Sequence, residues 1–271
     1  MTDDGAMNAV WVLYVTTFIT GAILGSFLNV VIYRGPVLWK LVDGESRGNL
    51  AFPRSYCPSC RAPIRYIHLI PLAGFFMLGG KCSDCKAPIP WRYPLVELGG
   101  ALAGVAALML FGITFTALFA FMFFLFLIAL AAIDAQTGYL PDALTLPLIG
   151  LGVLASVFGL FSTTLAASLL GAVIGFGAFW LIDKAFERLR GYEGLGQGDA
   201  KLLAAIGAWL GWAALPPVVF LAAITALVGV GAASLAGVKI DKQTPVPFGP
   251  ALSAAGVLAM VAHGLRLPFF S

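Results

Sequence analysis

The four cysteines of this 271-residue chain lie in one polar stretch and have the spacing of a metal site. Cys57 and Cys60 form one CxxC pair, Cys82 and Cys85 form a second, and 21 residues separate the two pairs. Two CxxC pairs at about this separation are typical of four-cysteine zinc sites, in which four thiolates complete a tetrahedron and leave no open position. The pattern therefore predicts a structural zinc site, with disulfides or unpaired thiols as the alternatives.

Two aspartates stand out among the thirteen acidic residues because each directly adjoins a long apolar run. Asp134 ends one run, and Asp199 precedes another and follows Gly196, Gln197 and Gly198. The two glycines allow close backbone approach and unusual dihedral angles just before a helix. Two carboxylates held together in a partly dry site share a proton, so that one can activate water while the other protonates a substrate carbonyl. This division of labour is that of the aspartic proteases.

Simpler interpretations exist for each aspartate taken alone. A single Asp beside an apolar run is often a helix N-cap or a charge at a lipid interface. Asp142, which follows Pro141, has a common capping position and is the rival of Asp134 as the first catalytic residue. A nucleotide-binding interpretation of the glycines at 194, 196 and 198 fails, because position 199 is not glycine and no β-strand precedes the segment.

The elements that must position these residues cross a membrane. Hydrophobic residues make up 60% of the chain and charged residues 11%, with a mean hydropathy of +0.95, which excludes a soluble globular protein. The net charge of +3 does not favour nucleic acid as a partner. Apolar runs repeatedly reach the ~20 residues that cross a bilayer, so we predict an all-α polytopic membrane protein. The eight predicted spans are residues 10–32, 94–111, 114–133, 143–161, 165–183, 200–213, 218–237 and 248–265.

The basic residues predict the orientation of these spans. With eight spans, 15 of the 16 Lys and Arg residues fall on one side, nine of them between positions 34 and 93. By the positive-inside rule this side is cytoplasmic and both termini are periplasmic. The cysteines then face a reducing compartment, which favours zinc over disulfides. We therefore predict a first transmembrane helix at 10–33, a cytoplasmic zinc domain at 34–93 and a transmembrane domain at 94–265.

The sixth span is short. Between Asp199 and Pro216 there is room for about 14 apolar residues, or ~21 Å of helix, which is less than the hydrocarbon thickness. The start of this span is therefore predicted to lie inside the cytoplasmic side of the membrane, where a carboxylate is costly and usually functional.

Four segments, in order, resemble the motifs of bacterial type IV prepilin peptidases, a branch of the GxGD intramembrane aspartyl proteases. The segment at 196–212 is similar to the GxGD signature, and the paired CxxC motifs are similar to the cytoplasmic domain of the family. Residues 25–34 resemble its first-span motif and residues 91–97 its second-span entry, while 247–250 resembles a later family segment. The resemblance covers most of the chain.

The resemblance implies a membrane aspartyl endopeptidase that removes the basic leader from type IV prepilins, or from the pseudopilins of type II secretion, at the cytoplasmic face of the bacterial inner membrane. It assigns catalysis to Asp134 and Asp199, with Gly196, Gly198, Asp142 and Lys201 as supporting residues. Membrane lipid is the other expected partner.

The resemblance also implies N-methylation of the new N-terminus with S-adenosylmethionine as the methyl donor. No glycine-rich donor loop on a strand supports this second activity from the residues alone. Gly80 and Glu97 are the methyltransferase candidates, although Gly80 is equally explained by the geometry of the loop beside Cys82. We expect the methyl-transfer site to be separate from the peptidase site and to be formed by the 34–97 region.

Two other functions remain open from the sequence. The nearer alternative is a peptidase without methylation. The other is a proton-coupled transporter or an assembly scaffold with a zinc docking domain, for which inverted repeats with interrupted helices are expected but not found.

Overall fold

The computed structural model describes residues 3–190, 196–235 and 247–267. Among these residues, the regular structure is helical apart from two isolated β-bridges. The chain divides into two compact units, Met1–Ile113 and Thr114–Ser271. The helices are α1 (Asp3–Leu38), α2 (Ala73–Met77), α3 (Arg92–Phe111), α4 (Phe115–Thr137), α5 (Asp142–Val157), α6 (Leu165–Arg190), α7 (Gln197–Leu210), α8 (Leu215–Leu235) and α9 (Gly249–Gly264), with short 3₁₀ helices at Tyr66–Leu69 and Trp212–Ala214.

Each of the eight predicted spans coincides with a helix, which confirms an all-helical membrane protein. Five helical segments of the described residues are long and apolar enough to cross a bilayer, whereas α5 and α9 are apolar but shorter. Helix α7 has 14 residues, as the sequence predicts for the sixth span. The number of spans that cross completely stays a prediction. Of the two later basic connections used for the orientation, residues 191–195 of 184–201 and nearly all of 238–247 lie outside the described residues.

Helices α1 and α3 pack closely in the first unit because glycines line their contact. A Cβ atom added at Gly25 would lie 2.7 Å from the carbonyl oxygen of Val96, and one at Gly100 would lie 3.0 Å from the Cα of Gly25. Only residues without a side chain permit this approach. Helix α1 has 36 residues, or about 54 Å, so it extends well beyond a ~30 Å hydrocarbon core.

Two polar side chains of α1 attach the polar loop to this helix pair. The buried guanidinium of Arg34 donates to the carbonyl oxygens of Asn49 at 2.8 Å and Pro53 at 2.7 Å. The side-chain amide of Asn29 donates to the carbonyl oxygen of Tyr93, at the start of α3, at 3.0 Å. The first-span motif therefore fixes both ends of the loop that carries the cysteines. The compact units place α3 with this loop, whereas the predicted peptidase domain begins at residue 94.

Helix α7 forms the centre of the second unit. It packs against α5, α6 and α9, and every residue from Leu202 to Trp209 is buried. A Cβ atom at Gly175 in α6 would lie 2.8 Å from the carbonyl oxygen of Leu203, so α6 and α7 touch backbone to backbone. The indole nitrogen of Trp209 donates to the carbonyl oxygen of Leu148 in α5 at 2.8 Å. These contacts hold the short α7 at a fixed position, and Asp199 lies in its first turn.

Candidate functional site: paired aspartates and a cysteine cluster

Asp134 lies in the last turn of α4, and its carboxylate is almost completely enclosed. The residue is 5% exposed, and its Oδ2 accepts a hydrogen bond of 2.9 Å from the backbone N–H of Gly249. Gly249 is the first residue of α9, where backbone N–H groups have no partner within the helix. The positive end of the α9 dipole therefore faces the Asp134 carboxylate and stabilises its negative charge.

Asp199 is the third residue of α7 and is partly buried. The carboxylate that acts on it electrostatically is that of Asp134. Asp134 and Asp199 are therefore neighbours in the folded second unit, although they are 65 positions apart in the sequence. Two neighbouring carboxylates in a poorly solvated site favour a single shared proton.

Asp142 has a different environment from the other two. It is the first residue of α5, it is exposed, and its Oδ1 pairs with the ammonium group of Lys201 at 2.5 Å. Lys201 lies two residues beyond Asp199 on α7, so this ion pair joins the starts of α5 and α7. Asp142 is therefore paired with a lysine, whereas the carboxylate that acts on Asp199 is that of Asp134.

The two glycines of the GxGD motif matter because they have no side chain, and not because they adopt unusual dihedral angles. Gly196 caps α7 with a φ of −69°, which any residue adopts, and Gly198 lies within the helix. The expectation of unusual dihedral angles was therefore wrong. The expectation of close approach is confirmed at Gly198, where an added Cβ would lie 2.8 Å from the Cβ of the buried Leu140. A Cβ at Gly196 would lie 3.6 Å from Oδ2 of Asp199, so a larger residue there would cover this carboxylate.

Sequence reasoning missed two residues of this region. Gly249 lies in a segment that the motifs singled out, but its contact with Asp134 depends on the packing of α9 against α4. Asp183 of α6 is 3% exposed and lines a small cavity of about 10 Å³, the size of a single water, together with Gly196 and Gln197. The available signal for Asp183 was an acidic residue that directly follows the apolar run at 165–182.

The four cysteines lie on two turns of the same shape in the first unit. In the first turn, the N–H of Cys57 donates to Ala62 and a β-bridge joins Tyr56 to Pro63. In the second turn, the N–H of Cys82 donates to Ala87 and a β-bridge joins Lys81 to Pro88. We call these turns, at 57–64 and 82–89, the two knuckles. Arg61 and Lys86 have left-handed φ angles of 57° and 61°, respectively, at equivalent positions.

The sulfur atoms have the spacing of a tetrahedral metal site. All four lie within 4.8 Å of one another, and Sγ of Cys57 is 3.8 Å from Sγ of Cys85. A Zn–S bond of about 2.3 Å gives sulfur–sulfur distances of about 3.8 Å in a regular tetrahedron. The residues therefore fit a metal ion, as the spacing of the cysteines predicts.

The thiols are also electronically suited to binding a metal. The backbone N–H groups of Cys85 and Asp84 lower the pKa of the Cys82 thiol to about 7. The N–H of Ala87 lowers the pKa of Cys85, but desolvation and hydrogen bonds with the other three sulfurs outweigh it and raise that pKa to about 11. Four thiols this close cannot all ionise without a cation, and a metal ion supplies the missing positive charge.

Glu97 and Gly80 both have a structural role in the first unit. Oε2 of Glu97 accepts a hydrogen bond of 2.7 Å from the N–H of Leu72, and the side chain of Ser26 also bonds to it. Gly80 has a φ of 69°, which favours glycine, and an added Cβ would lie 3.2 Å from the ring of Phe75. The loop geometry beside Cys82 is therefore sufficient to explain Gly80, and neither residue contacts the cysteine sulfurs among the described interactions.

A helical membrane protein with two neighbouring carboxylates, one held at a helix N-terminus, has the arrangement expected of an intramembrane aspartyl protease. Comparison with known proteins narrows this class. The Bacterial Peptidase A24 N-terminal domain matches residues 19–111, and the Type IV leader peptidase family matches residues 121–231. The chain belongs to the type IV leader peptidase family.

Curated relatives are similar over almost the whole chain. A protein of Burkholderia pseudomallei is 42% identical over 89% of this chain and 83% of its own length. Proteins of Neisseria gonorrhoeae and Pseudomonas aeruginosa are 42% and 41% identical, each over 90% of this chain and 89% of their own length. All three are named prepilin leader peptidase/N-methyltransferase. No solved structure matches the chain. The resemblance seen in the sequence motifs is confirmed.

Proposed function

We propose that this protein cleaves the basic leader from type IV prepilins or pseudopilins and that Asp134 and Asp199 carry out the hydrolysis. The observation that carries the proposal is the electrostatic pairing of these two carboxylates from α4 and α7, with the α9 N-terminus bound to one of them. The family and the names of the relatives support the same reaction and substrate class.

The hydrogen bond from Gly249 divides the roles of the two aspartates. It favours the negatively charged form of Asp134, so the shared proton resides on Asp199. Asp134 then removes a proton from the attacking water, while Asp199 protonates the scissile carbonyl oxygen. In the second half, Asp134 gives its proton to the leaving amine as the C–N bond breaks, while Asp199 takes a proton from a hydroxyl of the tetrahedral intermediate, which restores the singly protonated pair.

Asparagine substitutions test the pair directly. Asp134→Asn and Asp199→Asn keep the shape of the side chain but cannot shuttle a proton, so each should abolish cleavage of a purified prepilin. Asp43→Asn, at an exposed position of the first unit, is the matched control and should cleave normally. Normal cleavage by Asp134→Asn together with loss in Asp142→Asn would move the first catalytic role to Asp142.

We propose that the cysteine cluster binds one structural zinc ion and that the surrounding unit N-methylates the cleaved pilin with S-adenosylmethionine. The four-sulfur geometry supports zinc, and the names of the relatives support methylation. Gly80 and Glu97 would act on methylation by positioning the loop between the cysteine pairs, since Glu97 holds Leu72 and Gly80 permits the turn beside Cys82.

Separate assays distinguish a bifunctional enzyme from a peptidase alone. Prepilin incubated with the protein should be cleaved with or without S-adenosylmethionine, and the new N-terminus should gain one methyl group only when the donor is present. Gly80→Ser should reduce methylation more than cleavage. Cleavage without any mass increase would leave the peptidase function alone.

We also propose that the protein is a multi-pass protein of the bacterial inner membrane, with both termini periplasmic and the zinc domain cytoplasmic. The location of 15 of the 16 Lys and Arg residues on one side of the predicted spans supports this orientation. A single cysteine introduced at Ser59 in a cysteine-free background tests this orientation. We expect a membrane-impermeant thiol reagent not to label it in intact spheroplasts, and labelling there would contradict the orientation.

A further inference from the structure

The loop between the two knuckles, together with Trp91 just after the second knuckle, carries large apolar side chains that the protein leaves exposed. Tyr66 is 74% exposed, Phe76 is 66% exposed and Trp91 is 64% exposed. Several exposed apolar side chains close together on a small polar domain indicate a surface that binds a protein or a membrane. The apolar patch consists of Tyr66, Ile67, Ile70, Phe76, Met77 and Trp91.

A hydrogen bond fixes the depth of this patch relative to the membrane-spanning helix α3. The N–H of Leu72 donates to Glu97, which lies five residues beyond Arg92, or about 7.5 Å along the helix axis. Helix α3 has 20 residues, or about 30 Å, which is only just enough to cross the hydrocarbon core. Leu72, in the middle of segment 66–77, therefore lies at a level where α3 is already inside the bilayer.

The aromatic rings beside this bond connect the patch to the entry of α3. The rings of Phe75 and Trp91 have centroids 4.9 Å apart, and Trp91 immediately precedes α3. Tryptophan and tyrosine are enriched where membrane-spanning helices meet the headgroups. The patch is thus continuous with a surface that already faces lipid.

Several backbone N–H groups in and directly beside this segment have acceptors within the protein, which lowers the cost of a poorly hydrated environment. The donor of Leu72 is taken by Glu97, and Pro71 has none to satisfy. Backbone acceptors within the segment 66–77 or directly beside it receive the N–H groups of His68, Ala73, Gly74, Phe76, Leu78, Gly79 and Gly80.

The charges around the segment complement an anionic lipid surface. Arg65 and Lys81 flank it, Arg92 follows the second knuckle, and no acidic residue occurs between Arg54 and Ser83. An apolar face flanked along the chain by basic residues is the pattern of helices and loops that lie in a membrane interface. A protein partner would not require this depth, whereas the headgroup region of the bilayer accounts for the depth, the exposure and the charge together.

We propose that segment 66–77 is an interfacial membrane anchor, with the apolar patch inserted among the lipids of the leaflet that α3 enters. The anchor holds the two knuckles against the bilayer surface, independently of the two helices that bracket the loop. It does not depend on the reaction proposed above, since neither carboxylate of the peptidase pair takes part in it.

Photo-crosslinking in a bilayer tests the anchor with the full-length protein. The photoreactive residue p-benzoylphenylalanine replaces Ile67 or Phe76, and the protein is reconstituted in vesicles of phosphatidylethanolamine and phosphatidylglycerol. Ser59 and Asp84, at the exposed tips of the knuckles, are the matched control positions. We expect roughly tenfold more lipid adduct, measured by mass spectrometry, at 67 and 76 than at 59 and 84.

Three results would overturn the proposal. One is equal lipid labelling at all four positions, and another is labelling at 67 and 76 that goes to the 114–267 part of the same chain. The third is a loss of lipid adducts in favour of prepilin when prepilin is added, which would make the patch a substrate surface. Limited proteolysis of residues 1–113 in each photoreactive variant, compared with the wild type before irradiation, ensures that a missing adduct does not reflect misfolding of the first unit.

Discussion

Replacing Gly249 by alanine places a methyl group against the Asp134 carboxylate. The added Cβ would lie 2.5 Å from Oδ2 and 2.8 Å from Cγ of Asp134, whereas ordinary van der Waals contact begins at 3.4 Å. The carboxylate or the start of α9 must therefore move by about 1 Å, and the hydrogen bond from the Gly249 N–H is lost or lengthened. With Asp134 in the catalytic role proposed above, a displacement of this size costs about 10²-fold in rate.

This loss corresponds to about 2.7 kcal/mol of transition-state stabilisation. We expect kcat/KM for prepilin cleavage to fall by about that factor, with most of the change in kcat, because the substrate-binding surface is not altered. Methylation of pre-cleaved pilin should persist, since Gly249 lies in the second unit.

The matched control is Gly150→Ala in α5. An added Cβ at Gly150 meets nothing within 4 Å, and alanine improves helix propensity by about 1 kcal/mol, so cleavage should be unchanged. Thermal unfolding in detergent establishes that both variants are folded. If folded Gly249→Ala cleaves prepilin within about threefold of the wild type, the α9 N-terminus does not position the catalytic pair.

Other changes test other parts of the structure. Cys82→Ser removes one of four thiolates, so elemental analysis of the purified variant should show loss of most of its metal while cleavage continues; an unchanged metal content would contradict the four-cysteine site. Lys201→Met breaks the partly exposed pair with Asp142, and unfolding measurements should show a loss of less than about 1 kcal/mol. Gly25→Leu forces α1 away from α3 and should destabilise the first unit by about 1–3 kcal/mol, which proteolysis of residues 1–113 would detect. Arg34→Leu leaves the carbonyl groups of Asn49 and Pro53 without their donor, so the knuckle loop should become more sensitive to protease, and equal sensitivity would contradict its attachment to α1.

The helices and the cysteine cluster were predictable because their signals are local. Apolar runs reveal membrane helices regardless of what they pack against, and two CxxC pairs define four ligands before any tertiary contact is known. The short α7 was also predictable, since Asp199 and the prolines after residue 215 limit its apolar length.

The contacts that organise the site were not predictable in the same way. The bond between Gly249 and Asp134 joins positions 115 residues apart, and a glycine beside a proline carries no sign of a distant carboxylate. Arg34 marked the end of the first apolar run, yet α1 continues to Leu38 because backbone carbonyl groups of the loop satisfy its buried charge. The glycines of the GxGD motif correctly predicted a close approach, but not unusual dihedral angles, since the packing of Gly198 on Leu140 uses only its small size.

The equivalence of the two knuckles makes the cysteine cluster a shared property of two half-sites. Each half-site contributes a turn of the same shape and two sulfur ligands, and two thiolates alone cannot complete a tetrahedral zinc shell. Neither half is therefore self-sufficient: a chain that lost one knuckle would need a second chain to supply the missing pair. Both knuckles lie on one polypeptide, between α1 and α3. The metal site therefore closes within one chain, at a high effective concentration, and does not depend on the protein concentration as a site shared by two chains would.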